Sequence, residues 1–209
     1  IYFNMKIFKP LLFLLSVMFL TSCASGYKVI EPRSINYIST NESNGVTLSY
    51  KYDLLEKKYA KKEEKKDIKL VAIKITNSSE NDLMFGRDIK LTYENGSEVI
   101  PMENESVFKN LKQSAASYLF YLLLTPVNLY TTKTTNGVQE TTSATPIGLI
   151  LGPGLAAGNM IAAGSANKKF KEELLEYNLN GTIIKAGETK HGLIGIKSDS
   201  FDALKIKTD

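Results

Sequence analysis

The chain has 209 residues, a net charge of +4, one histidine, one cysteine and no tryptophan. That length suits one domain with a tether or an insertion. The charge is too small to argue for a nucleic-acid partner, and a single histidine with a single cysteine cannot make a multi-histidine metal site or a disulfide.

The first 22 residues carry two lysines, Lys6 and Lys9, an uncharged apolar run from Pro10, and small residues at the end. This is the three-part layout of a secretory signal, with translation expected to start at Met5. The apolar run falls short of the ~20 residues that a spanning helix needs. It ends in Leu20-Thr21-Ser22-Cys23. A branched apolar residue and two small ones before cysteine resemble the lipobox of bacterial lipoproteins. The chemistry fits the pattern, because a thiolate is the strongest nucleophile available for taking a diacylglyceryl group. The resemblance implies cleavage between Ser22 and Cys23 and a membrane anchor on Cys23. It implies two or three acyl chains, enough for durable attachment. Cleavage leaves 187 residues and removes two positive charges, so the mature charge is about +2. Ala24-Ser25-Gly26 follows the cysteine, with no aspartate and no acidic cluster. By lipoprotein sorting rules this points to the outer membrane and its periplasmic face rather than the cell surface.

Residues 23–45 read as a lipidated polar tether. Residues 46–52 alternate apolar and polar side chains, the period of a half-buried strand. The patch at 56–67 interleaves lysines with acids and reads as a solvated loop or hairpin tip. Residues 68–77, rich in β-branched side chains and closed by the turn formers after Asn77, read as a strand. Residues 89–93 and 98–100 flank Asn95-Gly96, a strong hairpin signal.

Residues 107–124 then read as a helix ended by Pro126, and 131–145 as a polar loop. The segment from Pro146 to Ala166 is rich in Gly and Ala. Residues 167–177 place Phe170, Leu174 and Tyr177 on one helical face. Strands resume at 182–184, 190–197 and 203–207. The expected fold is mainly β with an α insertion (α+β). The expected architecture is an immunoglobulin-like β-sandwich, 46–103 and 180–209, interrupted by a helical hairpin within the insertion 104–179.

Two stretches carry a further resemblance. Leu70-Val71-Ala72-Ile73-Lys74-Ile75-Thr76-Asn77 resembles the second strand of bacterial immunoglobulin-like lipoprotein domains of the telokin-like kind. Lys185-Ala186-Gly187-Glu188-Thr189, leading to Gly192-Leu193-Ile194-Gly195-Ile196, resembles their closing turn and strand, with Ala186 where proline is usual. The likeness covers about half of the mature chain and implies a Bacteroidetes-type lipoprotein. Its motifs are turn chemistry, so they speak to fold and not to activity.

The apolar insertion needs its own account. Residues 113–132 and 141–167 hold no charged side chain. Gly148 and Gly152, and then Gly154 and Gly158, recur at four-residue spacing, which lets helix backbones approach closely. Three readings compete for 107–166: packing on the protein's own body, docking to an envelope protein or a second copy, and entry into a bilayer. Pro153 and Asn159 interrupt the second stretch, which argues against a solitary span. No nucleophile elbow or phosphate-binding loop occurs. His191 lies on a strand beside Lys190, and Glu172, Glu173 and Glu176 read as solvated helix residues. No catalytic residue, metal site or cofactor is therefore expected. The functional expectation is a non-catalytic binding or scaffolding lipoprotein, with action through the apolar hairpin 107–166 as the alternative.

Overall fold

The computed structural model describes residues 23–208. The signal segment and the lipobox residues Leu20, Thr21 and Ser22 lie outside the described residues. The chain divides into two compact units. One holds 23–26 with Ser114–Gly164, and the other holds Tyr27–Gln113 with 165–208. Its class is α+β, with helices and several antiparallel sheets.

The larger unit is built on β3 (Ile68–Asn77), the centre of a four-stranded antiparallel sheet. Its neighbours are β2 (Val46–Lys51), with β1 (Ser39–Ser43) outside it, and β10 (Thr189–Lys197). The run Ile68-Lys69-Leu70-Val71-Ala72-Ile73 is continuously buried, as expected of a strand covered on both faces. On one face Val71, Ile73 and Ile75 meet a second sheet of β11 (Leu204–Thr208), β5 (Ile89–Tyr93) and β6 (Glu98–Val99). Leu48, Leu91, Ile194 and Ile206 complete that core.

On the other face Ile68, Leu70 and Ala72 meet helices. These are α1 (Lys57–Lys66), α2 (Asn104–Leu111) and the C-terminal part of α3 (Gly148–Glu176), which supply Tyr59, Val107, Leu111, Phe170 and Leu174. Gly195 of β10 makes this layer possible. A Cβ there would lie 2.3 Å from Val107 Cγ2, so only glycine lets α2 come so close.

Asn77 ends β3 as a fully buried polar residue. Its Nδ2 donates to Asn81 O at 2.8 Å and to Ile184 O at 2.9 Å. Its Oδ1 accepts from Ser79 N at 3.1 Å and Ser79 Oγ at 2.6 Å. One side chain thereby closes the turn after β3 and binds β9 (Ile183–Ile184), which pairs with β4 (Leu83–Met84).

Four expectations change. The charged patch is helix α1, not a loop. Its buried residues Tyr59 and Glu63 stand four apart on the inner face while lysines cover the rest. The polar tether is shorter than 23–45, since Tyr27, Ile30, Ile35 and Tyr37 pack on the helical core and residues 39–43 form a strand. The helix expected at 107–124 breaks. Asn167 Oδ1 accepts from Gln113 N at 2.8 Å and Asn167 Nδ2 donates to Gln113 O at 2.9 Å, so the main chain of buried Gln113 leaves helical pairing. The polar loop at 131–145 is a hairpin. β7 (Leu129–Thr135) and β8 (Val138–Thr145) join through Asn136-Gly137, both at positive φ as a tight two-residue turn requires. Its threonines favour strand.

Candidate functional site

The smaller unit holds the candidate anchor, and little in it is covered. Residues 115–124 form a 3-10 helix, followed by the β7–β8 hairpin and the first part of α3. The interior consists of Tyr118, Tyr121, Ala156 and Ala163, with Ala24, Leu124 and Met160 packed against them. Along α3, Gly148, Gly152, Ala156 and Ala163 make one narrow buried stripe, while most of the residues between them are exposed.

The outside is apolar. Leu119, Phe120, Leu122 and Leu123 of the 3-10 helix are exposed, as are Leu149, Ile150, Leu151, Leu155 and Ile161 of α3. Only Lys133 and Glu140 carry charge between Ser114 and Gly164, and they face each other across the hairpin. The helix runs on through Pro153.

The four glycines separate into two pairs. A Cβ on Gly148 would lie 2.0 Å from Leu124 O, and one on Gly152 would lie 3.1 Å from Tyr121 O. These two glycines let α3 touch the main chain of the 3-10 helix and its exit. Gly154 and Gly158 face open space, with nothing within 4 Å of an added Cβ. For them the expected close helix contact is absent, because they lie off the buried stripe.

Cys23 is exposed. Its Sγ lies 4.0 Å from the Tyr121 hydroxyl, and Ala24 N donates to Asn159 Oδ1 at 2.5 Å. The other half of the same amide, Asn159 Nδ2, donates to Leu155 O at 2.8 Å. The residue next to the candidate anchor is therefore fixed to α3 by a side chain whose two polar atoms are both engaged.

The larger unit has a surface of different chemistry. Two adjoining clefts of about 500 Å³ and 560 Å³ share Arg33, Glu176 and Tyr177. Lys169 and Glu172 line the first, and Glu188, Lys190 and His191 the second. Burial, then Lys74 and Arg33, push the His191 imidazole below its ordinary pKa. Glu173 corrects its assignment as a solvated residue. It is buried, and its Oε1 accepts from Ile30 N at 2.7 Å and Glu31 N at 3.1 Å, while its Oε2 accepts from the Tyr27 hydroxyl. Burial, followed by that hydrogen bond, raises the Tyr27 pKa far above its usual range. The carboxylate latches residues 27–31, the segment that follows the candidate anchor. Its only sequence signal was that it shares a helical face with Phe170 and Tyr177.

Glu63 is a second buried carboxylate. Burial raises its pKa, and the hydrogen bond from Leu70 N at 2.6 Å opposes that. Both acids accept from main-chain donors, and Glu173 from the Tyr27 hydroxyl as well. No cluster of three or more metal-ligating side chains occurs among the described residues. No protein-family model, curated protein or solved structure matches this chain.

Proposed function

We propose that this protein is an envelope lipoprotein, held to the periplasmic face of the outer membrane by lipid on Cys23, and that it acts without catalysis as a binding or scaffolding module. The observation that carries this reading is the Leu20-Thr21-Ser22-Cys23 box behind a lysine-bearing apolar segment. Three points support it. Cys23 is exposed, so an acyl transferase and a peptidase could reach it. Only Ala24, Ser25 and Gly26 separate it from Tyr27, which packs into the larger unit, so the linking chain reaches at most about 14 Å. The buried acids Glu63 and Glu173 hold the main chain at Leu70, Ile30 and Glu31, and Glu173 also holds the Tyr27 hydroxyl. A periplasmic envelope protein, or a second copy of the chain, is the partner this reading calls for.

We further infer that the larger unit is an immunoglobulin-like sandwich carrying an added helical layer. Two antiparallel sheets facing across a single core support that reading. Labelling cells with an alkyne analogue of palmitate tests the anchor. The wild-type chain should take up label and fractionate with outer membrane, and Cys23→Ser should lose both. A wild-type chain that stays unlabelled, or is secreted without acyl mass, removes the reading.

A further inference from the structure

We propose that the exposed apolar surface of residues 115–124 and 148–164 is immersed in lipid, so that the protein meets the bilayer through α3 and the 3-10 helix as well as through its anchor. The inference rests on the anchor reading for its choice of occupant and is tested separately from it.

A helix that is apolar all round is found in a large core or in a membrane. Residues 148–164 contain only Gly, Leu, Ile, Pro, Ala and Met with one asparagine, and Asn159 is satisfied on both amide atoms. The core alternative fails on burial, since only 22 % of the most apolar window of α3 is covered. The helix does not suit the plane of the membrane surface either, because a surface-lying helix keeps a charged face toward water. Residues 148–167 have no charged face to offer.

Length agrees with immersion. The part of α3 that lies in the smaller unit runs from Gly148 to Gly164, about 25 Å of helix, most of the hydrocarbon thickness of a bilayer. Both of its ends become polar. Lys168, Lys169 and Lys171 follow at one end, where cations suit anionic headgroups. At the other end stands the threonine-rich hairpin, whose open strand edges need water and so lie outside the hydrocarbon. The occupant is lipid rather than a second copy because Ala24, next to the acylated cysteine, is bonded to this helix. The acyl chains on Cys23 therefore start beside α3.

The natural chain has no tryptophan, so single substitutions report without background. Ile150→Trp places the probe on the exposed face of α3, and Ile183→Trp places a control on an exposed strand of the larger unit. The acylated full chain is reconstituted into vesicles of phosphatidylethanolamine and phosphatidylglycerol, with plain or brominated acyl chains. The expected result is blue-shifted emission from the 150 probe and loss of most of its intensity in brominated lipid, with the 183 probe unchanged. Circular dichroism confirms that both variants are folded. A 150 probe that keeps its intensity in brominated lipid, in protein whose mass shows acylation, overturns the inference and leaves the anchor standing. A probe that is blue-shifted but unquenched, in a protein that light scattering shows to be oligomeric, assigns the surface to self-association and overturns it too. Quenching in the unacylated Cys23→Ser chain supports immersion even if the native cysteine proves to carry no lipid.

Discussion

The two units of this molecule treat their large apolar side chains in opposite ways. Phe170, on the C-terminal part of α3, is 0 % exposed and touches the rings of Tyr27, Tyr59 and Phe108. Phe120, on the 3-10 helix, is 73 % exposed. The composition of the two units explains the contrast. The larger one has lysines and acids to cover its helices and strand ends, so its apolar residues have an inside to go to. The smaller one has a charged pair at its hairpin and too few elements to enclose its leucines. What the difference teaches is that stability resides in one unit and surface apolarity in the other.

Exchanging each phenylalanine for alanine should separate these roles most strongly. Phe170→Ala opens a cavity in the helical core and should cost about 3–5 kcal/mol in urea unfolding. Phe120→Ala should leave unfolding within about 0.5 kcal/mol, as for a surface residue, while weakening retention on vesicles. Equal losses of stability from both would erase the comparison.

The next largest effect should come from Asn167. Its amide pairs with Gln113 N and O, and its Oδ1 also accepts from the Tyr59 hydroxyl at 3.0 Å. Asn167→Ala takes the amide away from both main-chain groups of buried Gln113 and should cost about 2–3 kcal/mol. Hydrogen exchange should show lost protection at residues 111–114. Unchanged exchange there would show that the amide does not set the end of α2.

How far the sequence could foretell this depends on where each signal lies. β3 and β10 were legible because burial on one or both faces writes itself into consecutive residues, and Asn77 announced its turn. The Asn167 clamp was not, since its partner is 54 positions away. The Glu173 latch joins residues 143 positions apart, and beside Glu172 and Lys171 a carboxylate reads as solvated. Helix α1 was hidden because Tyr59 and Ala60 are the only apolar side chains in ten residues. The proposed anchor rests on four residues of sequence, Leu20-Thr21-Ser22-Cys23. The exposure around it was not legible, because an uncharged run looks the same whether a core or a bilayer will receive it.

A smaller effect sharpens the comparison inside the apolar unit. Gly148→Ala should push the chain away from Leu124 O and loosen the 3-10 helix by about 1–3 kcal/mol, as overpacking does. Gly158→Ala meets open space and should be neutral, or stabilising by up to about 1 kcal/mol, because alanine favours helix. Proteolysis of residues 115–127 in the two variants checks this. Equal protease resistance would mean that the close approach at Gly148 carries no weight.

The smallest effect lies in the larger unit and is set by pH. His191 is half-buried, and burial first, with Lys74 and Arg33 next, disfavours its charged form in the folded chain. Its folded pKa therefore lies below the ordinary 6.5, toward which it returns on unfolding. The neutral ring binds fewer protons than the unfolded one in that interval. The contribution of His191 to stability is then complete above the ordinary value and is lost as pH falls through the folded one. As the sole histidine, it gives one imidazole resonance to follow by NMR. The midpoint should lie below 6.5 in the folded protein, and Lys74→Ala should raise it only in part, because burial remains. A midpoint at or above the ordinary value would mean that water and counter-charge reach this ring, and that the cleft it lines is more open than its neighbours Tyr37 and Arg33 make it.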